Sequence, residues 1–333
     1  MIAAMAPERI LLIRTGGLGD TLLMWPAVAA VRRRFPRVRI DLMGHRERCQ
    51  LLAVPRGADL ALDVEGSGLH VLFEISAAPP DSVRARFGSY DAVVAFAAPG
   101  DYALAENLSA CGVEEVHAFL PFPSAGENVH VAEHAKRSLI GVDLAAPGED
   151  PLLEVSAKER EDGAQALLSL DLWKKKLALL APGSGSEKKN WAPGRFAELA
   201  LRFSDKGFNP LLLQGPADSS AVAAVLECAG AEGLPVLVDE SPATLKGVLA
   251  HAQLFVGNDA GPTHLAALMG LPTVAVFGPS DPVRWSPIGP KVSLVRAGVE
   301  CSPCTGDEMH ACEERICLEA ITVSSVLEAC QTT

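Results

Sequence analysis

The sequence predicts an α/β protein made of two doubly wound parallel-sheet units in tandem. Three observations carry this. Short apolar runs without polar alternation recur along the 333 residues, as strands buried on both faces require. Segments of helical periodicity separate those runs. The alternation breaks off once, at Gly141–Pro151, where two prolines, two glycines and three acids suit a linker, and then restarts. A single core stops growing at roughly 250–300 residues, so length points the same way. The expected division is a first unit over residues 1–155, a second over 172–320, and a terminal helical segment over 321–333.

Arg9–Arg14 reads as the first strand and runs into Thr15-Gly16-Gly17-Leu18-Gly19-Asp20. Met24, Ala27, Val28, Val31 and Phe35 then share one helical face, and Pro26 is expected to distort that helix at its start. Val38–Met43 and Ala92–Ala97 read as further strands, and Asn128–Ile140 as a helix. In the second half, strand Leu177–Ala181 leads through residues 182–190 into a helix from Pro193. Leu211–Gln214 is the next strand, followed by a helix capped by Asp218 and running to about Ala229. Strand Val236–Val238, helix Ala243–Ala250, strand Leu254–Gly257, helix Gly261–Met269 and strand Thr273–Phe277 complete the alternation.

Composition excludes several classes. No apolar run approaches the roughly 20 residues of a membrane helix. The opening MIAAMAPERI has neither a basic start nor a long apolar core, so a cytoplasmic protein is expected, with membrane contact at most peripheral. With 29 basic and 41 acidic residues the net charge is 29 − 41 = −12, which disfavours general nucleic-acid binding. The basic residues are uneven, however. Arg32, Arg33, Arg34, Arg37 and Arg39 crowd one stretch, with Arg46 and Arg48 close behind. Two readings stand: a solvated helix end that complements its dipole, or a surface for an anionic substrate.

Ligands of open parallel sheets bind beyond the carboxyl ends of the strands. Three loops lie at such ends. In the first, Gly16, Gly17 and Gly19 allow a tight turn and close approach, and Asp20 sits where the next helix starts. Its bland reading is a first-turn acid. The order Gly-Gly-x-Gly, with Asp41 in mid-strand, departs from the dinucleotide fingerprint. The second loop, Pro182-Gly183-Ser184-Gly185-Ser186-Glu187-Lys188-Lys189-Asn190-Trp191, combines small residues, hydroxyls and two lysines as a phosphate cradle, without Walker order. The third, Gly257-Asn258-Asp259-Ala260-Gly261-Pro262-Thr263-His264, opens a helix with a proline where proline is tolerated. Any one of the three is a weak signal.

In order, Arg14-x-Gly-Gly-x-Gly-Asp20, Lys189-Asn-Trp191, Asn258-Asp-x-Gly-Pro-x-His264 and Phe277-Gly-Pro279 resemble the ADP-heptose:lipopolysaccharide heptosyltransferases, glycosyltransferase family 9. The resemblance spans residues 9 to 328, most specific at Asn258–Pro279 and faint over 50–150. It implies a GT-B fold, two Rossmann-like domains facing across a cleft, with the last helix, here Thr322–Cys330, able to cross back to the first domain. It implies inverting transfer of a sugar from an ADP-sugar donor, ADP-heptose, to a lipid-linked anionic saccharide acceptor, the lipopolysaccharide inner core. Asp20 matches the proposed general base. Ser184 and Lys189 fall in the donor-phosphate loop, Asp259, Gly261, Pro262, Thr263 and His264 in the diphosphate and sugar site, and Gln214 and Asp218, more loosely, near the nucleotide ribose. Gly16, Gly17 and Gly19 form the acceptor or phosphate loop.

The chemistry agrees. A single displacement needs a base for the acceptor hydroxyl and a stabiliser for the departing diphosphate. Lys189 with the helix start at Gly261 can serve without a metal, so no cofactor is expected for the chemistry. Cys301-x2-Cys304-x7-Cys312-x4-Cys317 has the ligand number of a structural zinc site, and unligated thiols are the other reading. Rival functions remain: a transferase using another nucleotide sugar, or a non-catalytic sugar-nucleotide-binding protein.

Overall fold

The computed structural model describes residues 7–75, 78–97, 102–124, 126–228, 230 and 233–333. Residues 1–6, read above for a leader, and Ala229 lie outside them. The chain divides into two compact units, Met1–Pro151 and Leu152–Thr333. Among the described residues no helix is long and apolar enough to cross a membrane.

The first unit holds β1 (Arg9–Arg14), β2 (Arg39–Gly44), β3 (Leu60–Asp63), β4 (Ala92–Phe96) and β5 (Glu115–Phe119), all parallel, in the order β3-β2-β1-β4-β5. Ile10, Leu11 and Leu12 of the central strand are fully buried, as its continuous apolar run requires. Strand order reverses at the β1–β4 pair, and the loop that carries Asp20 leaves β1 there. Pro26 acts more strongly than a distortion. The segment splits into the helices Leu18–Leu22 and Trp25–Arg34, with Pro26 in the first turn of the second, where its missing N–H costs nothing.

Most of the arginine stretch works as staples. Arg32 Nη2 meets Asp59 Oδ2 at 2.5 Å, Arg34 meets Asp143 at 3.0 Å, and Arg39 Nε meets the buried Asp41 at 3.0 Å. Arg33 Nη1 donates to the Ala146 carbonyl at 2.8 Å and also faces Asp150. These four guanidinium groups tie the helix and the next strand to their neighbours.

The second unit holds β6 (Leu177–Ala181), β7 (Asn209–Gln214), β8 (Val236–Val238), β9 (Leu254–Asn258), β10 (Thr273–Val276) and β11 (Val292–Val295), again parallel, in the order β11-β10-β9-β6-β7-β8. The reversal here lies between β6 and β9, the strands that feed the second and third loops. A helix, Ala157–Ser169, fills most of the gap left between the two expected units, residues 156–171. A capping box of Ser156 and Glu159 starts it. It packs on the helix Pro242–Leu249 so closely that a Cβ on Gly163 would stand 2.2 Å from the Gly247 carbonyl carbon. Lys246, fully buried there, pairs with Glu159 at 3.0 Å. The terminal helix Val323–Thr332, expected to be able to return to the first domain, lays Val323 and Val326 into the core of this second unit.

Candidate active site

In the first unit, Gly17 caps the short helix Leu18–Leu22, and Asp20 stands in its first turn. Its Oδ2 accepts the Gly17 N–H at 2.8 Å, and its Oδ1 lies 3.3 Å from Arg14 Nη2. The bland reading of Asp20 as a first-turn acid therefore holds, and its side chain is still 25% exposed. Gly16 has φ +138°, and a Cβ on it would meet Asp20 Oδ2 at 2.7 Å, so this turn needs glycine. Arg48 Nη1 donates to the Gly16 carbonyl at 2.6 Å and secures the loop from the short helix Arg46–Gln50 that follows β2. The sequence shows Arg14 at the head of the first motif and Arg48 in the basic stretch, but not their contacts with this loop.

In the second unit the β6 and β9 loops are cross-linked. Asn258, fully buried, donates from Nδ2 to the Pro182 carbonyl at 2.7 Å and accepts the Trp191 N–H at 3.0 Å. Trp191 is itself anchored, its Nε1–H donating to the Ile321 carbonyl at 3.0 Å and its ring set edge-on to Phe196. Lys189 is thereby carried to Asp259, with Nζ 3.0 Å from Oδ2 and 3.0 Å from the backbone carbonyl. Ser280 donates to the same Oδ2 at 2.6 Å, and His264 Nε2 stands 3.6 Å from Oδ1. Burial pushes the Asp259 carboxyl upward. The contact with His264, the Lys189 charge and the Ser280 hydroxyl outweigh that and hold it well below the usual carboxylate range.

The predicted donor residues thus divide. Lys189, Asp259, Gly261 and Pro262 come together at the start of the helix Gly261–Leu268. Pro262 brings no N–H, and the Thr263 N–H is turned to the Ala260 carbonyl. The anion-attracting character rests on Lys189, the Gly261 end and the helix dipole. Thr263 and His264 are buried instead of lining an open surface. Thr263 Oγ1 donates to the Asn258 carbonyl at 2.6 Å, so both residues shape the loop from inside. Ser184 lies 2.7 Å from Asn190 Oδ1 and from the Ser186 carbonyl, which folds the β6 loop upon itself.

Asp218 stands at the N-cap of the helix Ser219–Leu226, but its Oδ2 turns back to accept the Gly215 N–H at 3.0 Å. Burial raises this carboxyl, the Gly215 bond opposes the rise, and Asp239 adds to it. Gly183 passes so near that a Cβ on it would lie 2.0 Å from Asp218 Oδ1, which places the β6 and β7 loops side by side with Gln214 at the end of β7. Ser280 was missed. Its signal was its place directly after Phe277-Gly-Pro279.

The four cysteines of the tract come together. Cys301, Cys304, Cys312 and Cys317 line one small pocket, yet among the described residues no group of three or more His, Cys, Asp or Glu is placed to hold a metal ion. Cys304 Sγ donates to the Cys301 carbonyl at 3.1 Å and Cys312 Sγ to the Glu314 carbonyl at 3.0 Å. Burial, and then the neighbouring thiols, push Cys304 and Cys317 upward. The tract backs the donor loops. Ser302 Oγ donates to the Gly278 carbonyl at 2.6 Å, the Cys304 N–H to the Pro279 carbonyl at 2.8 Å, and Lys188 Nζ to the Cys312 carbonyl at 2.5 Å.

The profile of glycosyltransferase family 9 (heptosyltransferase) matches residues 125–312, more than half of the chain. Lipooligosaccharide heptosyltransferase 2 of Campylobacter jejuni is 30% identical over 135 residues, 39% of this chain and 42% of that protein. Two further curated heptosyltransferases are matched over 30% and 32% of their lengths, so the chain spans less than half the length of these relatives. Among solved structures, the glycosyltransferase family 9 protein of Veillonella parvula superposes with a TM-score of 0.77 at 20% identity, covering 98% of this chain and 96% of that one. E. coli ADP-heptose lipopolysaccharide heptosyltransferase II gives 0.74 at 20% identity over 97% of each chain. At that identity the likeness shows the fold, which is GT-B.

Proposed function

Because the chain belongs to glycosyltransferase family 9, the heptosyltransferases, we propose that it transfers heptose from ADP-heptose to the lipopolysaccharide inner core, with inversion and with Asp20 as general base. The observation that carries the donor half is the Lys189–Asp259–Ser280 network at the start of the helix Gly261–Leu268. It puts a cation and a helix N-terminus where two strand-end loops meet at the sheet's reversal, a place suited to a diphosphate. The name of the E. coli structural neighbour supports ADP-heptose as donor and lipopolysaccharide as acceptor.

The reaction then divides between the units. On the second, Lys189 and the helix dipole bind the diphosphate and stabilise the charge that grows as the anomeric carbon–oxygen bond breaks. On the first, Asp20 takes the acceptor hydroxyl proton as that oxygen attacks the opposite face of the anomeric carbon. The electron pair of the broken bond leaves with ADP. Lys189 supplies the positive charge that a bound cation gives in metal-dependent transferases, so Mg²⁺ is not required. The lipid-linked acceptor makes the cytoplasmic face of the inner membrane, reached peripherally, the place of work.

Isothermal titration with ADP, UDP and GDP, each with and without Mg²⁺, tests the donor assignment. ADP is expected to bind best, with the same affinity without Mg²⁺. A preference for UDP or GDP would keep the fold and replace the sugar nucleotide. Binding of none would leave a protein without this donor site.

A further inference from the structure

Arg14 ends β1 two residues before the Gly16–Asp20 turn and is only 2% exposed. Its Nη2 stands 3.3 Å from Asp20 Oδ1, and its Cζ lies 4.7 Å from the ring centroid of Phe122. Its Nε is buried without a hydrogen-bond partner among the described residues. Burial lowers the guanidinium from its usual value, and the charge and hydrogen bond of Asp20 pull it back. A buried cation is costly, and a buried pair often stabilises less than apolar packing at the same place.

Arg9 also has a buried Nε without a partner, but its side chain is 35% exposed and it faces Asp41. Arg34 and Arg39 are exposed and Arg32 is half-buried, and each meets an acid that has no place in the proposed chemistry. Arg14 spends its desolvation on Asp20. At the end of a strand paired to Phe96, beneath Phe122, an apolar side chain would serve the fold as well. The surplus cost points to a functional return.

Resting on the heptosyltransferase reading, we propose that Arg14 is the positioning residue for Asp20, fixing the carboxylate in the rotamer that faces the acceptor hydroxyl. Two donors on two oxygens define the carboxylate plane: Arg14 Nη2 on Oδ1 and the Gly17 N–H on Oδ2. Arg14 exchanges no proton. The acceptor proton goes to Asp20, the acceptor oxygen bonds the anomeric carbon, and ADP leaves with the electron pair of the broken bond. Preorganising a reacting group in this way acts on the chemical step and not on donor binding.

The test uses the full chain and the variants Arg14→Met and Arg14→Lys, assayed with ADP-heptose and lipopolysaccharide lacking heptose. Arg14→Met is expected to lower kcat by about 30-fold or more, with KM for ADP-heptose and the Kd for ADP within about threefold of wild type. Arg14→Lys should recover part of the lost kcat, because it returns a cation to the carboxylate without the planar fork that stacks on Phe122. A folded Arg14→Met with unchanged kcat overturns the proposal. So does a loss that Arg14→Lys fails to repair while donor KM rises in parallel, since that is a structural effect. If wild type transfers no heptose, the reaction assignment fails separately. Melting of Arg14→Met, Asp20→Asn and the double variant still decides the pairing: the double variant should be more stable than the two single losses predict, and strict additivity contradicts it.

Discussion

Replacing Lys189 by methionine keeps most of the side chain's bulk and removes its charge. In the structure that charge offsets the buried Asp259, and in the proposed reaction it also meets the donor diphosphate at the start of the helix Gly261–Leu268. The Lys189 side chain is 21% exposed and Asp259 11%, so solvent screens the pair only in part. A hydrogen bond to a charged group contributes about 1.5–3 kcal/mol, and about 1.4 kcal/mol is tenfold in affinity. Loss of the lysine should therefore weaken ADP binding by roughly 10- to 100-fold. Stability should fall less. Breaking a fully buried pair costs about 3–5 kcal/mol, but Asp259 keeps Ser280 and His264, so about 1–2 kcal/mol is expected.

The sign with pH follows from the depressed Asp259 carboxyl. Its contribution to stability is present above the unfolded value, near 4, and is lost as pH falls through the lower folded value. In Lys189→Met the depression shrinks, so less stability remains to be lost below pH 4 and the acid limb becomes shallower. Isothermal titration with ADP at pH 7 and urea unfolding from pH 7 down to about pH 1.5 read the two effects. A variant that unfolds like wild type and binds ADP as tightly would refute the reasoning at its root, because Lys189 would then hold Asp259 only loosely and the nucleotide not at all.

Two further substitutions probe the loops. Gly16→Ala forces a residue with a Cβ to φ +138° and drives that Cβ to 2.7 Å from Asp20 Oδ2. A cost of about 1–3 kcal/mol at the turn and a kcat loss of at least about tenfold are expected, with ADP affinity unchanged by titration. Ser280→Ala removes one hydrogen bond from Asp259 and leaves Lys189 in place, so ADP affinity should fall only about two- to tenfold, from a contribution of about 0.5–1.5 kcal/mol.

The parts of the fold legible in the sequence are those where one local rule dominates. The buried central strands β1, β4, β6 and β9 are apolar on both faces and show as runs. Three edge strands were missed. β3 (LALD) and β5 (EVHAF) are half-exposed and mixed in character, and β11 pairs with β10 alone. The helix Ala157–Ser169 was lost because its sequence is polar and it is held by Gly163–Gly247 contact and the Glu159–Lys246 pair, both long-range. The strand-end loops that carry Asp20, Lys189 and Asp259 were legible because glycines frame them. Arg14 and Asn258 stand in the same motifs, but the contacts of Arg48 with Gly16, of Asn258 with Trp191 and of Ser280 with Asp259 join distant segments that no linear spacing announces. The cysteine spacing correctly marks a cluster, since all four residues line one pocket.

The claim at the centre of the account is that Asp20 deprotonates the acceptor while the second unit independently holds the nucleotide. Asp20→Asn keeps the shape of the side chain and removes its basicity. Turnover of ADP-heptose with a heptose-free lipopolysaccharide acceptor, measured beside ADP titration of the same preparation, tests it directly. The account predicts a fall in kcat of about 100-fold or more, the scale of general-base catalysis, with ADP affinity unchanged. Turnover at the wild-type rate in Asp20→Asn would contradict it and remove Asp20 from the chemistry.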